Sequence, residues 1–360
     1  MKKIIALILS LMLAVSMLSA CEINVNIETE TEEASAETDA EAEIEPAAEE
    51  ESEAEEPEAE AEAVTIRLAG LKGPTSMGMV KLLDDAENGL TENTYEFTMA
   101  GSADEITPLL IKGDLDIAAL PVNLGAVLYA KTEGGLQFAA INTLGVIYIC
   151  EKGGETVTDI ESLKGRTIYA TGKGSTPEYA LTYLLEQHGL DIETDVTMEW
   201  KSEPTEVVAL MQNEENAVAM LPQPYVTVAS GQVEGLHIAL NLTEEWNALD
   251  NGSEFITAGI LVRKAFAEEH PEAVASFLEE YAASTAYANE NAADAAALIE
   301  KYGIVKAPIA EKALPYCNIV CITGNEMKTK TEGYLQVLFD LNPQAVGGAL
   351  PGEDFYLIID

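Results

Sequence analysis

Gly172-Lys173-Gly174-Ser175-Thr176-Pro177-Glu178 joins an extended run to a helical one. Before it, Ile168 and Ala170 alternate with Thr167, Tyr169 and Thr171, the period-two pattern of a strand; after it, Leu181, Leu184 and Leu185 recur at helical spacing. Two glycines free the backbone at this junction. Ser175 and Glu178 have capping-box spacing, and Pro177 falls in the first helical turn, where its missing N–H costs nothing. Such a helix start presents unpaired N–H groups and a partial positive charge, with Lys173 beside them. Capped helix starts are common, so the turn alone reads equally as a cap or as a binding loop.

The stretch has a counterpart. Lys173-Gly174-Ser175-Thr176 repeats Lys72-Gly73-Pro74-Thr75 at an offset of 101 residues, and the same offset lays Ala219-Met220-Leu221-Pro222 on Ala118-Ala119-Leu120-Pro121 without a gap. Between them Glu105 meets Glu206, Ile106 meets Val207, Leu109 meets Leu210, Leu110 meets Met211 and Ile117 meets Val218. Two matches in register, linked by matching apolar positions, predict two lobes of similar build. The competing reading is two lobes that merely share α/β patterning.

Residues 1–21 have the pattern of a secretory signal: Lys2 and Lys3, an apolar run over 4–18, then small residues before Cys21. The run is too short and wrongly flanked for a spanning helix. Leu18-Ser19-Ala20-Cys21 resembles a bacterial lipobox, which would make Cys21 a lipidated residue; the other reading is an ordinary signal with an incidental cysteine. Residues 22–63 carry nineteen Asp or Glu and no Lys or Arg, a composition that cannot bury enough apolar surface to fold and reads as an acidic disordered tether. Of the formal charge of −44, removing these nineteen acids and the two lysines of the signal leaves 44 acids against 17 bases, or −27, for residues 64–360. That excess excludes nucleic acid as a plausible partner. It also leaves the N-terminal lipid as the expected membrane attachment.

From Val64 onward strand and helix patterns alternate. Strands are expected over 65–69, 95–99 and 116–120, then 167–170, 196–200 and 217–221, with helices near 77–87, 104–111, 124–131, 178–187 and 204–212. The alternation argues for an α/β fold with open, mostly parallel sheets. Apolar extended runs over 137–142 and 146–150 fit a crossing into a second lobe, and one over 255–262 fits the return. After Pro271 the composition turns helical, over 273–289, 292–301, 309–314 and 326–340. The predicted organisation is lobe 1 over 64–142 plus 256–360 and lobe 2 over 143–255.

Catalytic and metal chemistry find no support in the motifs. Only His188, His237 and His270 are present, and there is no HExxH, CxxC pair, Walker loop or nucleophile elbow. No cofactor is expected. Beyond Cys21, Cys150, Cys317 and Cys321 allow at most one internal disulfide. Open α/β sheets bind ligands at the carboxyl ends of their strands. Those ends carry Thr75, Ser76, Ser102, Asn123, Ser175 and Thr176 as hydrogen-bonding groups, with Tyr225 able to cover an apolar part. Each hydroxyl can equally serve as a helix cap.

The lipobox, the acidic tether, Asp159-Ile160-Glu161-Ser162-Leu163-Lys164-Gly165-Arg166-Thr167-Ile168, the Leu221-Pro222-Gln223-Pro224-Tyr225 loop and the helical tail together resemble substrate-binding lipoproteins of ABC importers. The group most similar is that of the nitrate, sulfonate, taurine and thiamine-precursor binding proteins (SsuA-like, NMT1/THI5-like). The resemblance implies a two-lobed type II periplasmic-binding-protein fold, with two crossover strands joining lobes that close over one small molecule. It places ligand loops over Lys72-Gly73-Pro74-Thr75-Ser76, at Ser102, at Asn123, over Gly174-Ser175-Thr176 and at Gln223; the reading of the residues adds Lys173 and Tyr225. Many relatives have Glu where Gln223 stands, which puts an aminopyrimidine ligand in doubt; the cysteine-rich motif of the pyrimidine-making branch is missing.

The expected function is therefore an extracytoplasmic, lipid-anchored receptor that captures a small solute by hinge closure and passes it to ABC permease subunits, as a monomer and without chemistry of its own. Two lysines near two helix starts make a small anion, a sulfonate or carboxylate, the first choice of solute. The alternatives are a thiamine-precursor binder, a same-fold enzyme using Glu203, Asp104 or Cys150, and a surface scaffold without a ligand.

Overall fold

The computed structural model describes residues 63–359. The expected signal segment, Cys21 and the acidic stretch up to Glu62 lie outside the described residues.

Eleven strands form two sheets. The first contains β1 (Thr65–Leu71), β2 (Thr94–Ala100), β3 (Ile117–Pro121) and β4 (Leu136–Leu144). The chain then enters the second sheet, with β5 (Ile147–Lys152), β6 (Thr167–Ala170), β7 (Thr197–Trp200), β8 (Ala217–Pro222) and β9 (Leu236–Asn241). It returns through β10 (Ile256–Arg263) and adds β11 (Ile319–Ile322). The orders are β11-β4-β10-β3-β1-β2 and β7-β6-β8-β5-β9. The run β2-β1-β3-β10-β4 in one sheet thus corresponds to β7-β6-β8-β5-β9 in the other, as the internal repeat predicts.

The repeat is not gap-free. Leu68 pairs with Phe97 and Ile117, whereas Ile168 pairs with Met198 and Val218. The partner strands keep the offset of 101, but β6 sits at 100, so the turn after β6 holds one residue more than the turn after β1. The matching letters at Lys72 and Lys173 conceal this slip.

Both sheets are mixed rather than simply parallel. β1 pairs in parallel with β2 and β3, and β6 with β7 and β8. β10 is antiparallel to β3 and β4, β11 to β4, and β5 to β8 and β9. Four of six and four of five strands therefore share one direction, and each strand that carries the chain in from the other sheet is wedged in reversed. The reason is geometric. A chain arriving from the neighbouring sheet enters at the edge facing that neighbour and must run away from it.

This entry point fixes where a site can form. β10 starts opposite the end of β3, with Ala258 beside Pro121, and β5 starts opposite the end of β8, with Ile147 beside Pro222. The carboxyl ends of the parallel strands in both sheets therefore lie at the crossings. Gly145, between β4 and β5, packs so closely there that a Cβ would lie 2.1 Å from Thr243 Oγ1 and 2.6 Å from Phe255 Cδ1. Asn318, in a left-handed conformation (φ 43°), accepts at its carbonyl from Leu144 N at 3.1 Å and donates from Nδ2 to Gly145 O. The outgoing and returning segments thus touch each other and are braced from the first sheet.

The tail contributes helices Pro271–Glu290, Ala292–Lys301, Ala307–Ala313 and Gly324–Leu341. Ser284 joins the first of these to the start of the chain, donating to Gly78 O at 2.6 Å and accepting from Leu82 N at 3.0 Å. Gly324–Leu341 buries Met327, Tyr334, Leu335 and Leu338. Among the described residues no helix is long and apolar enough to cross a membrane.

Candidate functional site

The residues predicted for binding divide by burial. Thr75, Ser76, Asn123, Thr176, Gln223 and Tyr225 are buried, with Asn123 and Thr176 at 0 % exposure. Lys72, Lys173 and Gly174 are exposed, Ser102 and Ser175 half-buried, and Gly73 buried. The two lysines that favoured an anion therefore stand at the surface, while the inner polar groups are uncharged hydroxyls and amides.

One pair is brought together across the two sheets. Thr176 is the first residue of helix Thr176–Gln187 after β6, and Asn123 lies in the first turn of helix Val122–Lys131 after β3. The Thr176 hydroxyl lies 3.3 Å from Asn123 Oδ1 and 3.2 Å from the Thr257 carbonyl on β10, so its single proton is shared between two acceptors. Asn123 is held in turn by its Nδ2, which donates to Ala345 O at 3.2 Å. The rims also approach: a Cβ on Gly101 would lie 3.0 Å from Glu203 Oε1 and 3.5 Å from Glu105 Oε1.

Thr75 does not mirror Thr176. Its hydroxyl donates to Leu71 O at 2.9 Å, and Ser76 donates to the same carbonyl at 2.7 Å. Both protons are spent on fastening the turn to the end of β1, which leaves lone pairs for a ligand. Gly70 is required by this fastening, since a Cβ there would come within 2.3 Å of Ser76 Oγ. Gly73, at φ 156° and ψ −156°, takes a backbone conformation open to glycine. The expected capping box at Ser175 is absent: Ser175 donates to Gly172 O at 2.8 Å, and the Glu178 carboxylate accepts from Gly174 N. The extra residue in this turn displaces the reciprocal contact by one position. Ser102 does meet Glu105, whose Oε1 accepts from Ser102 N at 3.0 Å and from Gly101 N at 3.1 Å, so that serine serves as a cap.

In the loop after β8, Gln223 N donates to Val146 O at 2.9 Å, tying β8 to the first crossing, and its Oε1 accepts from Thr227 Oγ1 at 2.9 Å. Burial, with the Glu203 charge adding to it, pushes the Tyr225 phenol up to about 12. The reactive candidates fare poorly. Cys150, Cys317 and Cys321 are free thiols, and burial alone pushes Cys150 up to about 12, far from a thiolate at neutral pH. Glu203 and Asp104 are exposed.

Several polar residues at these edges escaped the sequence reading. Asn142, fully buried at the end of β4, donates to Thr75 O at 3.0 Å and accepts from Thr143 Oγ1 at 3.1 Å. Thr257 sits on the return strand and Tyr334 in the helical tail. No local signal marks them, because each reaches the site through long-range packing. Cavities of about 650 and 610 Å³ lie elsewhere, at the opposite strand ends beside Val64 and Asn93 and beside Lys152 and Glu215.

Two mixed sheets exchanging reversed strands, with polar carboxyl edges at the crossings, define a two-lobed α/β fold. The chain belongs to the NMT1-like family, whose model matches residues 83–300. An ABC transporter structure from Parabacteroides distasonis is 24% identical with a TM-score of 0.68, covering 82% of this chain and 99% of that one. The periplasmic aliphatic sulphonate binding protein SsuA from Escherichia coli is 17% identical with a TM-score of 0.64, covering 82% and 96%. The nitrate-binding protein NrtA from Synechocystis is 14% identical with a TM-score of 0.55 and covers 66% of each chain. At these identities the likeness is one of fold. No curated protein sequence matches the chain.

Proposed function

We propose that the protein is the extracytoplasmic solute receptor of an ABC importer, anchored by lipid at Cys21, acting as a monomer and delivering its solute to membrane permease subunits. Its jaws are residues 64–142 with 256–360 and residues 143–255. The observation that carries this reading is the Thr176 hydroxyl, fully buried and shared between Asn123 and Thr257 of the other sheet. A dehydrated polar contact between elements of the two sheets suits a surface built to close on a hydrogen-bonding solute. The solute is bound and not transformed, in keeping with the buried Cys150 thiol and the surface placement of Glu203 and Asp104.

For the solute we propose a small molecule held mainly by uncharged donors and acceptors at Thr75, Ser76, Asn123, Thr176 and Gln223. Lys72, Lys173 and Ser102 then act at the rim, and Gly73, Gly174, Ser175 and Tyr225 shape the loops. A sulfonate or carboxylate remains compatible with neutral donors at helix starts. An aminopyrimidine is less suited, because Gln223 offers no charge and its oxygen is engaged by Thr227.

The test is thermal unfolding of the full chain with single compounds: alkanesulfonates, nitrate, small carboxylates, amides and aminopyrimidines. A true ligand at 100 times its dissociation constant adds about 2.7 kcal/mol, enough to raise the midpoint by roughly 5 °C. Small-angle scattering should then report compaction. A protein that no compound shifts and whose dimensions never change is not a solute receptor.

A further inference from the structure

Buried hydroxyls without a partner include those of Thr257, Thr331 and Tyr334. Tyr334 and Thr331 lie one turn apart on helix Gly324–Leu341, and both residues are at 0 % exposure. Thr257 is the residue whose carbonyl receives the Thr176 proton. Tyr334 also lies beside Thr176, close enough for that hydroxyl to oppose the upward push of burial on its phenol. Even so, no hydrogen bond of acceptable distance and angle joins the two.

The ring of Tyr334 is held from several sides. Its centroid is 5.4 Å from Trp246 and 6.2 Å from Phe255, and Trp246 is itself 4.8 Å from Tyr183 of helix Thr176–Gln187. Trp246 Nε1 donates to Ser253 Oγ at 3.1 Å, which fixes the indole. A phenolic oxygen extends along its ring axis, so a clamped ring leaves the hydroxyl free to turn its proton but not to move. Asn123 Oδ1 and Thr257 O share the Thr176 proton, and Ala345 O takes the Asn123 amide; the Thr176 oxygen keeps its lone pairs but does not pair with the Tyr334 hydroxyl. A phenylalanine would fill the same volume without a stranded polar atom, and a buried hydroxyl without a partner is destabilising.

We propose that Tyr334 is a solute-contacting and specificity-determining residue: its O–H donates to an oxygen of the bound molecule, next to Thr176, so the preferred solute carries a carboxylate, sulfonate or carbonyl oxygen directed at the C-terminal helix. This rests on the receptor reading above. It adds a residue outside the stretch 83–300 matched by the family model.

The test compares the full chain with Tyr334→Phe. Both proteins are dialysed against a defined mixture of small carboxylates, alkanesulfonates and amides. Retained molecules are identified by native mass spectrometry and titrated singly, and the ligand-free proteins are unfolded by heat. The expected result is one retained molecule bound about ten-fold more weakly by the variant, with a ligand-free midpoint equal to or above that of the wild type. Equal affinity in the two proteins overturns the assignment and leaves the receptor reading intact. A lower ligand-free midpoint in the variant also overturns it, because the hydroxyl then serves the packing or a structural water. If neither protein retains any molecule, the receptor reading falls and takes this inference with it.

Discussion

Glu151 should make folding stability depend on acid pH in a way that Glu151→Gln removes. Its side chain, at the end of β5, is 2 % exposed. Burial alone would raise its pKa, but several donors outweigh this: the Thr156 hydroxyl at 2.6 Å, Val157 N at 2.9 Å, Arg166 at 2.8 Å and Thr156 N at 2.7 Å. Together they carry the group from 4.5 down to about 2. A folded pKa below the unfolded one gives stability that is complete above about 4.5 and is lost as pH falls towards 2. The full difference is worth about 3 kcal/mol, and about 2 kcal/mol of it is gone by pH 3. Glutamine keeps the shape but turns an N–H towards these donors, so the variant should be less stable at pH 6 and the gap should narrow in acid. Urea unfolding of both proteins from pH 6 to pH 3 measures the gap directly. A gap of constant size across that range would refute the assignment of these bonds to the ionised carboxylate. Arg166 lies in the stretch 159–168 that helped carry the family resemblance, so the experiment also asks what holds that motif in place.

Gly259→Ala should destabilise the protein by about 2–3 kcal/mol, because a Cβ would lie 2.1 Å from Phe138 Cζ and 2.4 Å from Ala140 O; a thermal midpoint within a degree of wild type would show that β4 and β10 can separate freely. The two threonines should part company. Thr176→Val should weaken solute binding roughly ten-fold by leaving Asn123 Oδ1 unpaired, and Thr75→Val should chiefly lower ligand-free stability, by about 1 kcal/mol, as judged by titration beside unfolding. Cys21→Ser should release the protein from membranes into the soluble fraction; full retention in the membrane fraction would remove the lipid anchor from the proposal.

Much of the fold was legible because strands covered on both faces stand out as short apolar runs, as β3 and β8 do, between segments of helical period. The crossings showed as apolar runs on either side of Gly145 and before β10. The edge strands β2 and β7 alternate and were read, whereas β9, which exposes nearly half of Ile238, and β11, only four residues long, carry too weak a pattern. The mixed pairing was illegible for another reason. A strand's composition reports its burial, not its direction, and β5 and β10 are as apolar as their neighbours.

The strand-to-helix turns were legible in their positions, and the directions of their side chains were not. Strand-to-helix turns could be located from glycines and caps, yet which side chain points inward depends on a one-residue count that identical letters can hide. The extra residue after β6 makes Thr176 the first residue of its helix and leaves Thr75 the second of its own. Thr176 therefore reaches Asn123 across the gap while Thr75 turns back to Leu71. Lys72 and Lys173, the most conspicuous letters of the repeat, stand at the surface, where water solvates cations that the positive end of a helix does not favour. Tyr334 lies at the other extreme. It comes beside Thr176 from a helix that begins almost 150 residues later, packed on Trp246 and Phe255. Local patterns encode elements, and contacts such as those of Thr176 and Tyr334 exist only in the assembled fold.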